Sequence, residues 1–204
     1  MTVLLLTQPA GAQRVRAQFG IDVGASLATV TGNEIVGAKT KVGPYYGLSA
    51  IVQRPGSVLG LQTGLFYVSR GAKVNDPDID PDITVSLKLS YVELPVMLRI
   101  APVTKAGGVA PAFFVGTSLA LRTGGKAVAR SVSVDCDDPD LDVQLKGFDV
   151  GVTLGGEVAI PAGPRLFIVP AARFAQSVTS ISDQSGTDAK NRTIQLGVGL
   201  RRHR

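Results

Sequence analysis

The side chains with chemistry to offer in this 204-residue chain are carboxylates and guanidinium groups set inside apolar stretches. Glu93 and Arg99 stand six residues apart in Leu89-Ser90-Tyr91-Val92-Glu93-Leu94-Pro95-Val96-Met97-Leu98-Arg99-Ile100. Asp22, Asp149 and Glu157 sit in similar surroundings, as do Arg70, Arg122 and Arg173. An acid and a base on one face can act as proton donor and acceptor. They can equally neutralise each other where water is excluded, because an unpaired buried charge is costly. Nucleophile chemistry is thin. His203, the single histidine, lies next to the last residue, so no Ser–His pairing and no histidine-based zinc centre is expected. Cys136, the single cysteine, excludes an internal disulfide and a multi-cysteine metal site. It stands among acids that keep a thiol protonated and unreactive. The residues predict no enzyme, no metal and no cofactor.

What must position these groups is a set of strands. Around Glu93 the period is two: Val92, Leu94, Val96, Leu98 and Ile100 alternate with Tyr91, Glu93, Pro95, Met97 and Arg99. From Phe19 to Leu27 the odd positions are apolar and the even ones are Gly20, Asp22, Gly24 and Ser26. Farther on, Phe148, Val150, Val152, Leu154, Val158 and Ile160 oppose Gly147, Asp149, Gly151, Thr153, Gly155 and Glu157. The pattern predicts eight strands, at 18–29, 42–54, 59–74, 84–100, 110–126, 144–160, 165–178 and 191–201. Pro95, which has no N–H for a ladder, predicts a bulge or local break in the fourth. Pro55-Gly56-Ser57, 101–109 and Pro161-Ala162-Gly163-Pro164 are short connections. They alternate with long polar ones at 32–41, 75–82, 131–142 and 180–190. The Asp-rich run 75–82 lacks the glycine and terminal glutamate of a calcium-binding EF-hand loop, and reads as a solvated loop.

Composition narrows the class. With 24 Gly, 12 Pro and no capped amphipathic helix, the chain suits many short strands. It has no run of about 18 apolar residues to form a membrane-spanning helix. The net charge of +5 comes from scattered bases, clustered only at Arg201-Arg202-His203-Arg204, with few aromatics for base stacking. That footprint argues against nucleic-acid binding. Val3-Leu4-Leu5-Leu6, then Ala10-Gly11-Ala12, resembles the end of a signal peptide with a small-residue cleavage site. Residues 1–13 are therefore read as a signal-peptide remnant and 14–204 as a single domain.

An even strand number, with long loops on one rim and tight turns on the other, predicts an all-β, eight-stranded antiparallel up-and-down transmembrane β-barrel. Its bulky apolar face would meet lipid, and small residues would fill a lumen just wide enough for side chains. Val92, Leu94, Val96, Leu98, Phe148, Val150, Val152, Leu154, Ile194, Leu196 and Val198 are the expected lipid-facing set. Asp22, Arg70, Glu93, Arg99, Arg122, Asp149, Glu157 and Arg173 are the expected lumen charge network, pairing across the interior to give a plugged barrel. The alternatives are a soluble lipocalin-like barrel holding a small apolar ligand, in which Phe148, Val152 and Leu154 face inward, and a narrow channel.

Tyr91-Val92-Glu93-Leu94-Pro95-Val96-Met97-Leu98-Arg99 resembles the tyrosine, hydrophobe, glutamate, hydrophobe, proline run, ending in a base, of the porin-family outer membrane β-barrel domain common in Bacteroidetes and related bacteria. The Gly-rich first strand and the strand centred on Arg173 are also similar. The resemblance extends over about 18–201. It implies an outer membrane protein of a Gram-negative bacterium, partnered by membrane lipid and, during insertion, by the outer membrane assembly machinery, with a structural or loop-mediated binding role. A monomer is expected. The chain departs from such barrels in ending on Leu200-Arg201-Arg202-His203-Arg204, where an aromatic residue is common.

Overall fold

In the structure, a computed structural model, residues 15–32, 38–75, 84–103, 108–129, 132–136, 145–182 and 188–203 are described. The signal-peptide remnant, the Asp-rich 76–82 and most of 131–142 lie outside them. Among the described residues, period-two patterning produces nine strands: β1 (Arg16–Gly32), β2 (Lys41–Gln53), β3 (Leu59–Asn75), β4 (Thr84–Ile100), β5 (Ala110–Ala129), β6 (Val132–Asp135), β7 (Phe148–Pro161), β8 (Leu166–Ser177) and β9 (Ala189–His203). Eight of them form the wall, each antiparallel to its neighbours. β9 returns to β1 over a ladder from Gln18↔His203 to Gly32↔Ala189. The ring therefore has no free edge, the condition for strands to cross a bilayer with every backbone group paired.

Three departures from the sequence expectation have local causes. The start of the loop at 131–142 is strand: Val132-Ser133-Val134-Asp135 folds back on Lys126–Ala129 as β6, as alternating β-branched residues favour. At Pro95 the expected local break is present, without a bulge. The β3–β4 ladder lapses between Thr63↔Val96 and Phe66↔Glu93 and resumes in the same register, while Pro95 keeps its place opposite Ser118 in β5. The shift in register falls instead between Ser90 and Tyr91. The third departure concerns the interior. Tyr45, Phe66, Tyr91, Met97 and Phe114 are buried in the lumen, so it is not filled by small residues alone. Glycines make notches for these rings. A Cβ on Gly47 would stand 2.6 Å from Phe66 Cδ1, and one on Gly155 would stand 2.7 Å from Phe114 Cζ.

Burial follows strand parity. On β7 the outward Phe148, Val152 and Leu154 are 45%, 44% and 50% exposed, while Asp149 and Thr153 are buried. That orientation overturns the soluble lipocalin-like alternative, which needs those three side chains inside. At the short-turn rim, Ser57 N–H donates to the Arg54 carbonyl at 3.1 Å, and Gly56 takes φ +76° after Pro55. Proline then glycine at the two central positions is the type II turn signature.

Candidate functional site

The lumen holds two ionic layers and a guanidinium between aromatic rings. Toward the long loops, Arg70 on β3 reaches two acids. Its Nη2 donates to Glu93 Oε2 on β4, and its Nη1 to Asp149 Oδ2 on β7 at 2.8 Å. Asp149 also accepts from Ser177 Oγ (2.6 Å), Thr179 Oγ1 (2.9 Å) and Asn191 Nδ2 (3.1 Å). The Arg70 guanidinium stands 5.0 Å from the Tyr91 ring centroid. Alternation places each of these groups inward, and tight filling of the lumen brings β3 and β7 within reach across it.

Toward the short turns the arrangement is reversed, with one acid between two bases. Arg99 Nη2 on β4 donates to Glu157 Oε1 at 3.0 Å. Arg201 on β9 grips the same carboxylate with both terminal nitrogens, at 2.6 Å to Oε1 and 3.1 Å to Oε2. Gln62 Nε2 donates to Glu157 Oε2 at 3.3 Å, and Gln53 Oε1 accepts from Arg99 Nη1 at 3.0 Å. Charge-assisted and bidentate bonds of this kind are the strong class of hydrogen bond.

Arg173 on β8 has no carboxylate among its described partners. Its guanidinium carbon lies 4.8 Å from the Phe66 ring centroid and 5.6 Å from those of Tyr45 and Phe114. A desolvated cation over a ring face is attracted by its quadrupole. Asp22 and Arg173 line one small cavity of about 10 Å³ together with Tyr45 and Gln195. Arg122, half-buried, donates to the Leu145 carbonyl at 3.3 Å.

Of the eight residues expected in the lumen network, the structure thus joins Arg70, Glu93 and Asp149 in one layer and Arg99 and Glu157 in the other. Asp22 and Arg173 share a cavity wall, and Arg122 donates to the Leu145 carbonyl. Sequence reasoning misses Arg201, which reads only as part of the basic cluster at 201–204. Its signal is parity, since it continues the inward series Thr193, Gln195, Gly197, Gly199. The aromatic cage of Tyr45, Phe66 and Phe114 is also missed. On the outer face stand Leu94, Val96, Leu98, Phe148, Val152, Leu154, Ile194, Leu196 and Val198, all exposed, with Val92 and Val150 half-buried among them.

A closed antiparallel barrel with its apolar residues outside and an ion-paired interior defines an outer membrane class of protein. The family described as outer membrane protein beta-barrel domain matches residues 8–183, and the chain belongs to that family. It is a protein of the outer membrane of a Gram-negative bacterium. Among solved structures, a major outer membrane protein from Thermus thermophilus is similar at 13% identity and a TM-score of 0.55, over 93% of this chain and 99% of that one. The outer membrane protein OprG from Pseudomonas aeruginosa is 10% identical over 93% of this chain and 95% of its own, with a TM-score of 0.49. Neisserial surface protein A is 15% identical over 90% and 96%, with a TM-score of 0.47. At 13% identity the likeness to the Thermus thermophilus protein concerns the fold alone. No curated protein matches the sequence.

Proposed function

We propose that this protein is a plugged outer membrane barrel whose apolar belt meets lipid and whose long-loop rim carries a structural or binding role, with no reaction assigned to it. The observation that carries the reading is the filled lumen. Two ionic layers and the ring-held Arg173 draw inward side chains from β2, β3, β4, β5, β7, β8 and β9 across the interior. Each layer is tied across the lumen by direct bonds, and this cross-bracing supports a plug over an open pore.

The outer surface supports the membrane half of the reading. Outward apolar residues on β7 run from Phe148 to Ile160. At ~3.3 Å per residue and a tilt of about 40°, that stretch rises about 30 Å, the thickness of a bilayer's hydrocarbon core. Exposed aromatics stand near both rims, Phe19 and Phe113 by the short turns and Phe148 by the long loops, as in the girdles of outer membrane barrels, while Tyr46 lies mid-strand. In such barrels the short turns face the periplasm. Membrane lipid and the assembly machinery are the proposed partners, nucleic acid is not, and the proposed unit is a monomer because the wall closes on itself.

The test is conductance in planar bilayers. The reading predicts no stable current steps from the intact protein across neutral pH. Regular steps with a defined unit conductance would overturn it in favour of a narrow channel.

A further inference from the structure

The two rims differ in charge more than the interior does. Of the 16 acidic residues, the long connections hold one in 33–40, four in 76–83, five in 130–147 and two in 178–188. The other four, Asp22, Glu93, Asp149 and Glu157, belong to wall strands. The short connections 54–58, 101–109 and 162–165 contain none, while they contain Arg54, Lys105 and Arg165. A cavity of about 190 Å³ opens at this acid-free end. Arg16, Gln18, Gln53, Arg54, Arg99 and Arg201 are among its lining residues, and no Asp or Glu lines it among the described residues. Arg99 and Arg201, 5% and 3% exposed, share the single carboxylate of Glu157 behind them, which leaves one positive charge over at the cavity floor. Arg16 and Arg54 are exposed at its mouth.

We infer that this cavity is a seat for a phosphate group presented from the periplasmic side. Guanidinium groups bring planar pairs of N–H donors that match phosphate oxygens, and each carries a charge it cannot lose. Two buried arginines with a surplus charge at the floor and two exposed ones at the mouth form a graded funnel for an anion of one or two charges. The volume leaves room for a phosphate bearing a short substituent, so the group arrives either free or on the head of an anionic phospholipid of the inner leaflet. The periplasmic orientation rests on the membrane reading above, whereas occupancy of the seat in detergent does not, so the two fail separately.

The experiment follows the arginine side-chain Nε–Hε resonances of the intact protein in a neutral detergent micelle. Inorganic phosphate is titrated at fixed ionic strength, with chloride as the balancing anion. The expected result is saturable movement at Arg99 and Arg201, weakened about tenfold or more in the Arg16→Gln/Arg54→Gln double variant, equivalent to about 1.4 kcal/mol or more. These two residues are exposed, so the variant should unfold like the parent. Movement that fails to saturate, that chloride reproduces, or that the double variant leaves unchanged would overturn the inference. A second arm compares nanodiscs of phosphatidylcholine with nanodiscs containing phosphatidylglycerol. If the resonances are already displaced by phosphatidylglycerol and added phosphate moves them no further, the seat takes a lipid head. If only added phosphate moves them, it takes a free one.

Discussion

The two ionic layers of the lumen are near mirror images. One sets a base between two acids, Glu93–Arg70–Asp149, and the other an acid between two bases, Arg99–Glu157–Arg201. They handle the surplus charge differently. Around Asp149 two hydroxyls and an amide donate, so the loop-side acid is held without a second base. The turn-side layer leans on two glutamines and then opens into a cavity lined by more arginine. One layer is a closed lock and the other a charged floor, although both are built from the same residue types at the same strand parity. What decides between them is the ring of small polar side chains around each layer, not the ion pairs themselves.

The sharpest way to break the comparison is Glu157→Leu. It strands two buried arginines, which cannot become neutral, and should cost about 3–5 kcal/mol in denaturant unfolding of the reconstituted barrel. Arg70→Met on the loop side should cost about 3 kcal/mol, somewhat less. Asp149 keeps its three other donors, and a carboxylic acid can take up a proton. Equal losses in the two variants would show that the surrounding hydroxyls and amides do not matter. Glu93→Leu leaves Arg70 bonded to Asp149 and should cost about 1–3 kcal/mol, the scale of one hydrogen bond to a charged group. Arg173→Met removes a cation from three ring faces and should cost about 1–2 kcal/mol. A larger loss there would mean that Arg173 bears more of the plug than the layers do. Each value is read from the unfolding midpoint at constant slope, with retention of heat-modifiable gel migration as the check on folding.

Most of the wall was legible in the sequence because a barrel strand writes its two environments at alternate positions. The bounds of β4, 84–100, and the closure by β9 follow from that alternation and from loop lengths. Parity also marks Arg70, Glu93, Arg99, Asp149 and Glu157 as inward. Parity cannot say which inward charge meets which, since that depends on strand tilt and on reach across the lumen. Arg173 illustrates the limit. Its inward placement is readable, but its partners are three rings seated in notches left by Gly47, Gly64, Gly155 and Gly197, and a glycine in a strand pattern looks the same whether it fills space or makes it. Arg201 is obscured by its basic neighbours Arg202, His203 and Arg204, although alternation along β9 separates it from Arg202. The short β6 is hidden by the acids that follow it.

The central claim is that one face of this sheet meets lipid while the other is a packed polar core. The chain contains no tryptophan, so a single one reports without background. Leu154, midway along β7 and 50% exposed on the outer face, is the position to use. With Leu154→Trp reconstituted in lipid brominated near mid-chain, the account predicts strong quenching of the tryptophan emission and little effect of aqueous iodide. Quenching by iodide with no response to the brominated lipid would contradict it.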